Sequence, residues 1–370
     1  MSGEKFDPTD MNMNAASLAT AHESVSGLHA YNSAADLTNQ HQFTLENGEF
    51  LFDVNTRNSC TRPLSTFITS LAKSNVYREF ASFTSLPLTR PRVIDTFFDE
   101  PALNKFAEIG VYEQTRVRAP HKSGHNYINA TWVDGFKESR KYIVAQSPLA
   151  DAVDQFWTMI YDRKSHVTVF LSEMIDENKK PYMPSTVGEV MKFETISVEL
   201  EHIRKIKPNY YSALLKVTKD KLPTKHIIAL IMNWGPSAYP SRPTDVLNLI
   251  DDMNNMREIM KAKAIEENTL EVTASTPITI VCFEGSNSSC AITGLDILCQ
   301  RLEQSTKNGT PYVDVLDTIA RLRMLRGGAV WKAEIYVFMQ MAVLEFAVRR
   351  RIISTDLLSR IDLTSFIINH

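Results

Sequence analysis

The sequence predicts an α/β protein in which a mixed β-sheet is flanked by helices on both sides. Three observations carry that expectation. Thr276–Leu298, TPITIVCFEGSNSSCAITGLDIL, places an apolar run, Thr279–Phe283, before a tight glycine-containing loop, Glu284–Ser289. A stretch then follows in which Ile292, Leu295, Leu298 and Leu302 recur at helical spacing. Val167–Leu171 and His226–Met232 are short apolar runs of the length of buried strands, whereas Met191–Val217 alternates as strands with one wet face do. A Trp fit for burial, in Asp154-Gln155-Phe156-Trp157, together with alternating apolar residues, is what a mixed sheet flanked by helices requires.

Composition bounds the rest. With 370 residues, 44% of them hydrophobic, the chain can bury a sizeable core in one large domain or two small ones. A net charge of −3 argues against a general nucleic-acid binder. Four cysteines, at 60, 282, 290 and 299, form neither a metal spacing nor a disulfide framework, which points to no metal, no cofactor and a reducing, cytoplasmic location. No apolar run approaches the roughly 20 residues that span a bilayer, and the N-terminus lacks an apolar leader, so no membrane insertion is expected.

Taken in order, residues 1–60 are rich in Ser, Asn, Thr and Ala and read as a flexible low-complexity tail. Residues 61–350 read as the folded domain, and 351–370 as a C-terminal helix or tail. Leu64, Phe67, Leu71, Tyr77, Phe80 and Phe83 predict one or two helices that close at Leu86-Pro87. After the central stretch, Val313–Arg326 is an amphipathic helix ended by Gly327-Gly328. Tyr336–Val348 is a helix apolar on most faces, hence deeply packed, with Arg349-Arg350-Arg351 at its negative end. Ile352–His370 reads as one more helix.

Strand, loop and helix around Cys282 form a geometry that aims backbone N–H groups and a helix N-terminus at an anion, and that favours a thiolate. Here the chain resembles the protein tyrosine phosphatases. Their phosphate-binding loop is His-Cys, five residues, then Arg and Ser/Thr. Pro277, Cys282, Gly285 and Ser289 fit it; Val281 stands at the His and Ser288 at the phosphate-clasping Arg. Other matches keep the family's order. Asn104-Lys105-Phe106-Ala107-Glu108-Ile109 is similar to the phosphotyrosine-recognition loop, Thr115-Arg116-Val117 and Tyr127-Ile128-Asn129-Ala130 to two strands, and Ala145-Gln146-Ser147-Pro148-Leu149 to the segment that follows. Trp234 and Pro240 fit the mobile Trp-Pro-Asp loop, but Pro236 stands at the proton-donating Asp. In the glutamine loop, Trp331 and Ile335 occupy the two Gln positions.

The resemblance implies a protein-tyrosine-phosphatase-like fold, a highly twisted mixed sheet with helices on both sides. It also implies a vestigial site: Cys282 remains, while the groups lost at Pro236, Ser288, Trp331 and Ile335 remove general acid, phosphate clasp and water alignment. Without Arg and His, and with Glu284 nearby, the thiol is expected near its ordinary pKa of ~8.5. Phe106, Glu108, Cys282, Gly285 and Ser289 remain as peptide-binding candidates. Two of them have a plainer reading, Cys282 as a small apolar strand end and Phe106 as core. The function implied is a catalytically inactive homologue that binds a protein or peptide, such as a kinase or tyrosine-phosphorylated protein, as scaffold or regulator. The alternatives are a divergent phosphatase with weak cysteine-dependent activity, and a module whose working surface lies in the tail or the final helix.

Overall fold

The computed structural model describes residues 51–52, 62–71, 76–84, 94–107, 109–171, 182–234 and 242–356. Glu108, Pro236, Cys60, most of the 1–60 segment and residues 357–370 of the expected last helix lie outside the described residues. Two residues inside the expected tail do not behave as a tail. Leu51 and Phe52 are buried in the main core, and the Leu51 carbonyl accepts from Arg321 Nη1 at 2.5 Å. A leucine and a phenylalanine buried in this way can recover the cost of ordering their backbone.

A short strand β1 (Arg62–Pro63) leads into helices α1 (Leu64–Leu71) and α2 (Val76–Thr84), then α3 (Asp95–Asp99). The body comprises β2 (Arg116–Arg118), β3 (Tyr127–Val133), β4 (Tyr142–Gln146), α4 (Val153–Asp162), β5 (Val167–Phe170), β6 (Val190–Lys192), β7 (Ile196–Lys207), β8 (Tyr210–Lys219), β9 (Lys225–Met232), α5 (Pro243–Glu266), β10 (Ile278–Cys282), α6 (Ser288–Lys307), β11 (Tyr312–Val313), α7 (Val315–Leu325) and α8 (Ala333–Arg349). Nine strands form one sheet in the order β2-β3-β4-β10-β5-β9-β8-β7-β6. Its centre is parallel, with β10 between β4 and β5 and β5 beside β9, while both flanks are antiparallel. The sequence pattern follows from this placement: β4, β5 and β10 are buried on both faces and read as continuous apolar runs, whereas β7 and β8 alternate.

Two cores result. One face of the sheet is covered by α5, α6, α7 and α8 with α1 and α2 outside them, and the other by α4, whose Trp157 is fully buried and donates from Nε1 to the Tyr182 carbonyl at 2.7 Å. The Val313–Arg326 stretch divides into β11 and α7, because Asp314 takes the N-cap and its Oδ1 accepts from Asp317 N at 2.7 Å. The turn after α7 then requires glycine: a Cβ on Gly327 would stand 2.7 Å from the Gly110 carbonyl oxygen, to which Gly327 N donates at 3.2 Å.

Candidate functional site

The central strand β10 carries its last residue, Cys282, to the carboxyl end of the parallel sheet, in register with Gln146 of β4. Ser147 N donates to the Cys282 carbonyl and Leu171 N to that of Val281, both at 2.8 Å, so both neighbouring strands clamp the strand end. The strand stops there: Phe283, expected as its last residue, has left the sheet and is 41% exposed. The loop then turns at Gly285, whose φ is +71° and whose Cβ, were there one, would lie 2.3 Å from Gln146 N. Only a residue without a side chain lets the loop lie this close to β4. Helix α6 starts at Ser288, and Ser286, Asn287, Ser288 and Ser289 are all buried.

Cys282 is 1% exposed. Its sulfur is 3.2 Å from Ser289 Oγ and accepts from Gly285 N at 3.2 Å. Burial pushes the thiol above its ordinary pKa, the Glu284 carboxylate pushes the same way, and the contacts from Ser289 and Gly285 only partly oppose them. The expectation of a nearly ordinary thiol is therefore corrected upward, and so is the thiolate that a strand–loop–helix geometry alone favours. The helix N-terminus is present, but desolvation outweighs it. Cys290 and Cys299 are also buried thiols with raised pKa values, as their place on the inner face of α6 expects.

A cation from elsewhere in the chain reaches the loop. Arg326, fully buried at the end of α7, donates to Thr131 Oγ1 at 3.1 Å, to Asn129 Oδ1, and to the Glu284 carbonyl at 3.5 Å, while its Nε has no partner. Burial lowers its pKa, and the nearby Cys290 and Cys282 sulfurs oppose that shift. Asn129 donates to Asn104 Oδ1 at 2.7 Å, as does the Tyr127 hydroxyl at 2.5 Å, and Asn104 in turn holds the carbonyls of Phe97 and Glu100. One hydrogen-bonded chain thus joins the loop to the segment carrying Phe106. Sequence reasoning missed Arg326, because a cation in the last turn of a helix ordinarily faces solvent; its neighbour Gly327, wedged against Gly110, is the signal that this turn is buried.

Phe106 does stand at the mouth, with its ring 5.7 Å from that of Phe283 in an edge-on arrangement. Lys105 N donates to Gln146 Oε1 at 3.1 Å; its ammonium lies 4.4 Å from the centre of the Phe283 ring and contacts Ser147 Oγ. Across the loop, Val330 N donates to the Ser286 carbonyl at 3.2 Å and Lys332 N to Asn287 Oδ1 at 3.4 Å, which brings Trp331 beside the cradle. Ile335 is buried in the core. Ser286 Oγ and Trp331 Nε1 are buried without partners, each at a typical cost of about 1–3 kcal/mol. The structure thus brings together Phe106, Cys282, Gly285, Ser289, Ser288 and Trp331, while Glu108 and Pro236 fall outside the described residues. Among the described residues no cluster of three or more His, Cys, Asp or Glu side chains is placed to hold a metal, and no helix is long and apolar enough to cross a membrane.

A cysteine at the end of a central parallel strand, with a glycine-turned loop and a helix start behind it, marks an α/β protein with a strand–loop–helix cradle at the carboxyl end of its sheet. The profile of the family described as Protein-tyrosine phosphatase matches residues 100–345, and the chain belongs to that family, with its large, twisted mixed sheet flanked by helices. Among its relatives, tyrosine-protein phosphatase 69D of Drosophila melanogaster is 27% identical over 255 residues, 65% of this chain and 16% of the relative. Human receptor-type tyrosine-protein phosphatase C is 27% identical over 252 residues, 66% of this chain and 18% of the relative. Human tyrosine-protein phosphatase non-receptor type 9 is 23% identical over 302 residues, 78% of this chain and 49% of the relative. The chain therefore spans between about a sixth and half of the length of these relatives.

Proposed function

We propose that this protein is a catalytically inactive member of its family, which binds a protein or peptide partner as a scaffold or regulator within the cell. The observation that carries the reading is the setting of Cys282, a neutral, buried thiol beside a carboxylate. Hydrolysis of a phosphotyrosine by this family needs an ionised sulfur, a cation on the phosphoryl oxygens, an acid for the leaving oxygen and an aligned water. Ser288, Pro236, Trp331 and Ile335 stand at the positions where the resemblance places the last three of these. Losing a general acid costs about 10²–10⁴ in rate and losing an oxyanion donor about 10²–10³ more, so roughly five orders of magnitude are gone before the thiol is considered. Arg326 does not replace the clasp, because its Nη atoms are engaged by Asn129, Thr131 and the Glu284 carbonyl.

The same arithmetic bears on the rival reading, a phosphatase with weak cysteine-dependent turnover, which needs a thiolate that burial and Glu284 both oppose. Phosphate capture without turnover is disfavoured as well, since a dianion desolvated beside a carboxylate is costly. The partner segment favoured is therefore unphosphorylated, held along the surface around Phe106. A kinase or another signalling protein is the class of partner that such a homologue would sequester. The test is calorimetric titration of the full chain with matched tyrosine peptides, phosphorylated and not. The reading expects the phosphate to bring no gain in affinity; a gain of about tenfold or more, about 1.4 kcal/mol, lost in a Cys282→Glu variant, would make the site a phosphate reader instead.

A further inference from the structure

The mouth of the cradle is occupied by the chain's own side chains. Phe106 is the ring that the family resemblance assigns to stacking on an incoming tyrosine, and it is met edge-on by Phe283 at 5.7 Å. Lys105 lies 4.4 Å from the centre of the same Phe283 ring. Phe283 is therefore held between an aromatic ring and an ammonium, a pairing favoured in both contacts. It nonetheless leaves 41% of its surface to solvent, so it forms part of the outer wall of the site rather than of the core. Immediately inward the character changes: Cys282, Ser286, Asn287, Ser288 and Ser289 are buried, and Ser286 Oγ lacks a partner.

We infer that Phe283 is an internal stopper. Its ring takes the position beside Phe106 that a ligand's aromatic side chain would need, and Lys105, anchored through its backbone N to Gln146 and through its ammonium to Ser147, holds it there. The inference rests on the proposed reading of this site as a non-hydrolytic recognition surface and adds how entry to it is controlled. A partner meets the outer edge of Phe283 and the ammonium beside it, while the cradle behind, with Cys282, stays closed.

The test compares the full chain, Phe283→Ala and the bulk-retaining Phe283→Leu under iodoacetamide, with labelling of Cys282 and Cys290 followed by peptide mass spectrometry. Phe283→Ala is expected to label at Cys282 about tenfold faster than the unaltered chain, Phe283→Leu within about twofold of it, and Cys290 at an unchanged rate in all three. No acceleration in Phe283→Ala, an equal one in Phe283→Leu, or a matching rise at Cys290 that reports general loosening would each overturn the stopper. Turnover of a phosphotyrosine peptide by the unaltered chain would remove the reading of inertness and leave the labelling result standing, so the two failures are distinguishable.

Discussion

A thiol held 1% exposed at the end of a central strand is governed first by desolvation and only then by the hydrogen bonds around it. Because Cys282 keeps its proton to higher pH in the folded chain than when unfolded, its contribution to stability is fully present below the ordinary thiol pKa of ~8.5. It is lost as pH rises toward the folded value. Cys290 and Cys299 act in the same direction. A Cys282→Ala variant should accordingly lose less stability than the unaltered chain between neutral and strongly alkaline pH, read as the shift in urea midpoint. Gly285 sets the other local constraint. Gly285→Ala combines a positive φ with a Cβ 2.3 Å from backbone, and should cost about 2–4 kcal/mol by urea unfolding. A cost below about 0.5 kcal/mol would mean that the loop can move off β4.

At the scale of elements, the start of α7 holds the clearest titration. Asp314 faces Asp317, Arg301 and Arg62, and burial raises its carboxyl to about 6 while its Oδ2 lacks a partner. A carboxyl with a raised folded pKa contributes stability below its unfolded value, about pH 3.9, and loses it as pH climbs through about 6. Asp314→Asn keeps a good N-cap and removes the charge, so it should erase a loss on the order of 2–3 kcal/mol across that interval. Thermal melts of both proteins from pH 4 to 7 check this, and parallel curves would contradict it. Elements were also where the sequence was most legible. Periodicity located the helices of the Leu64–Phe83 region and both helices after the cradle, because their apolar faces meet the sheet or one another. It missed the break between β11 and α7, which a single capping aspartate imposes, and it carried β10 one residue too far, because Phe283 is apolar yet turned outward.

At the scale of the molecule, order and spacing of short motifs made the family legible, while the wiring between them was not. Asn104, Asn129 and Arg326 are joined only in three dimensions, and no residue type or interval in the chain announces that contact. The same holds for Leu51 and Phe52, which the folded body takes into its core although Ser, Asn, Thr and Ala are abundant in the sequence before them. Phe52→Ala should cost about 3–5 kcal/mol by urea unfolding, a result that would place the domain boundary upstream of residue 51; no measurable cost would return these residues to the tail. What the whole arrangement adds to the motif comparison is a buried Cys282 thiol at the loop, and the proposed reading is that such a site does not hydrolyse phosphotyrosine. The most direct measurement of that claim is single-turnover assay of a phosphotyrosine peptide with the unaltered chain and with Cys282→Ser. The account predicts equal, background rates and no phosphate released in a sulfur-dependent burst; a burst in the unaltered chain that vanishes in Cys282→Ser would contradict it.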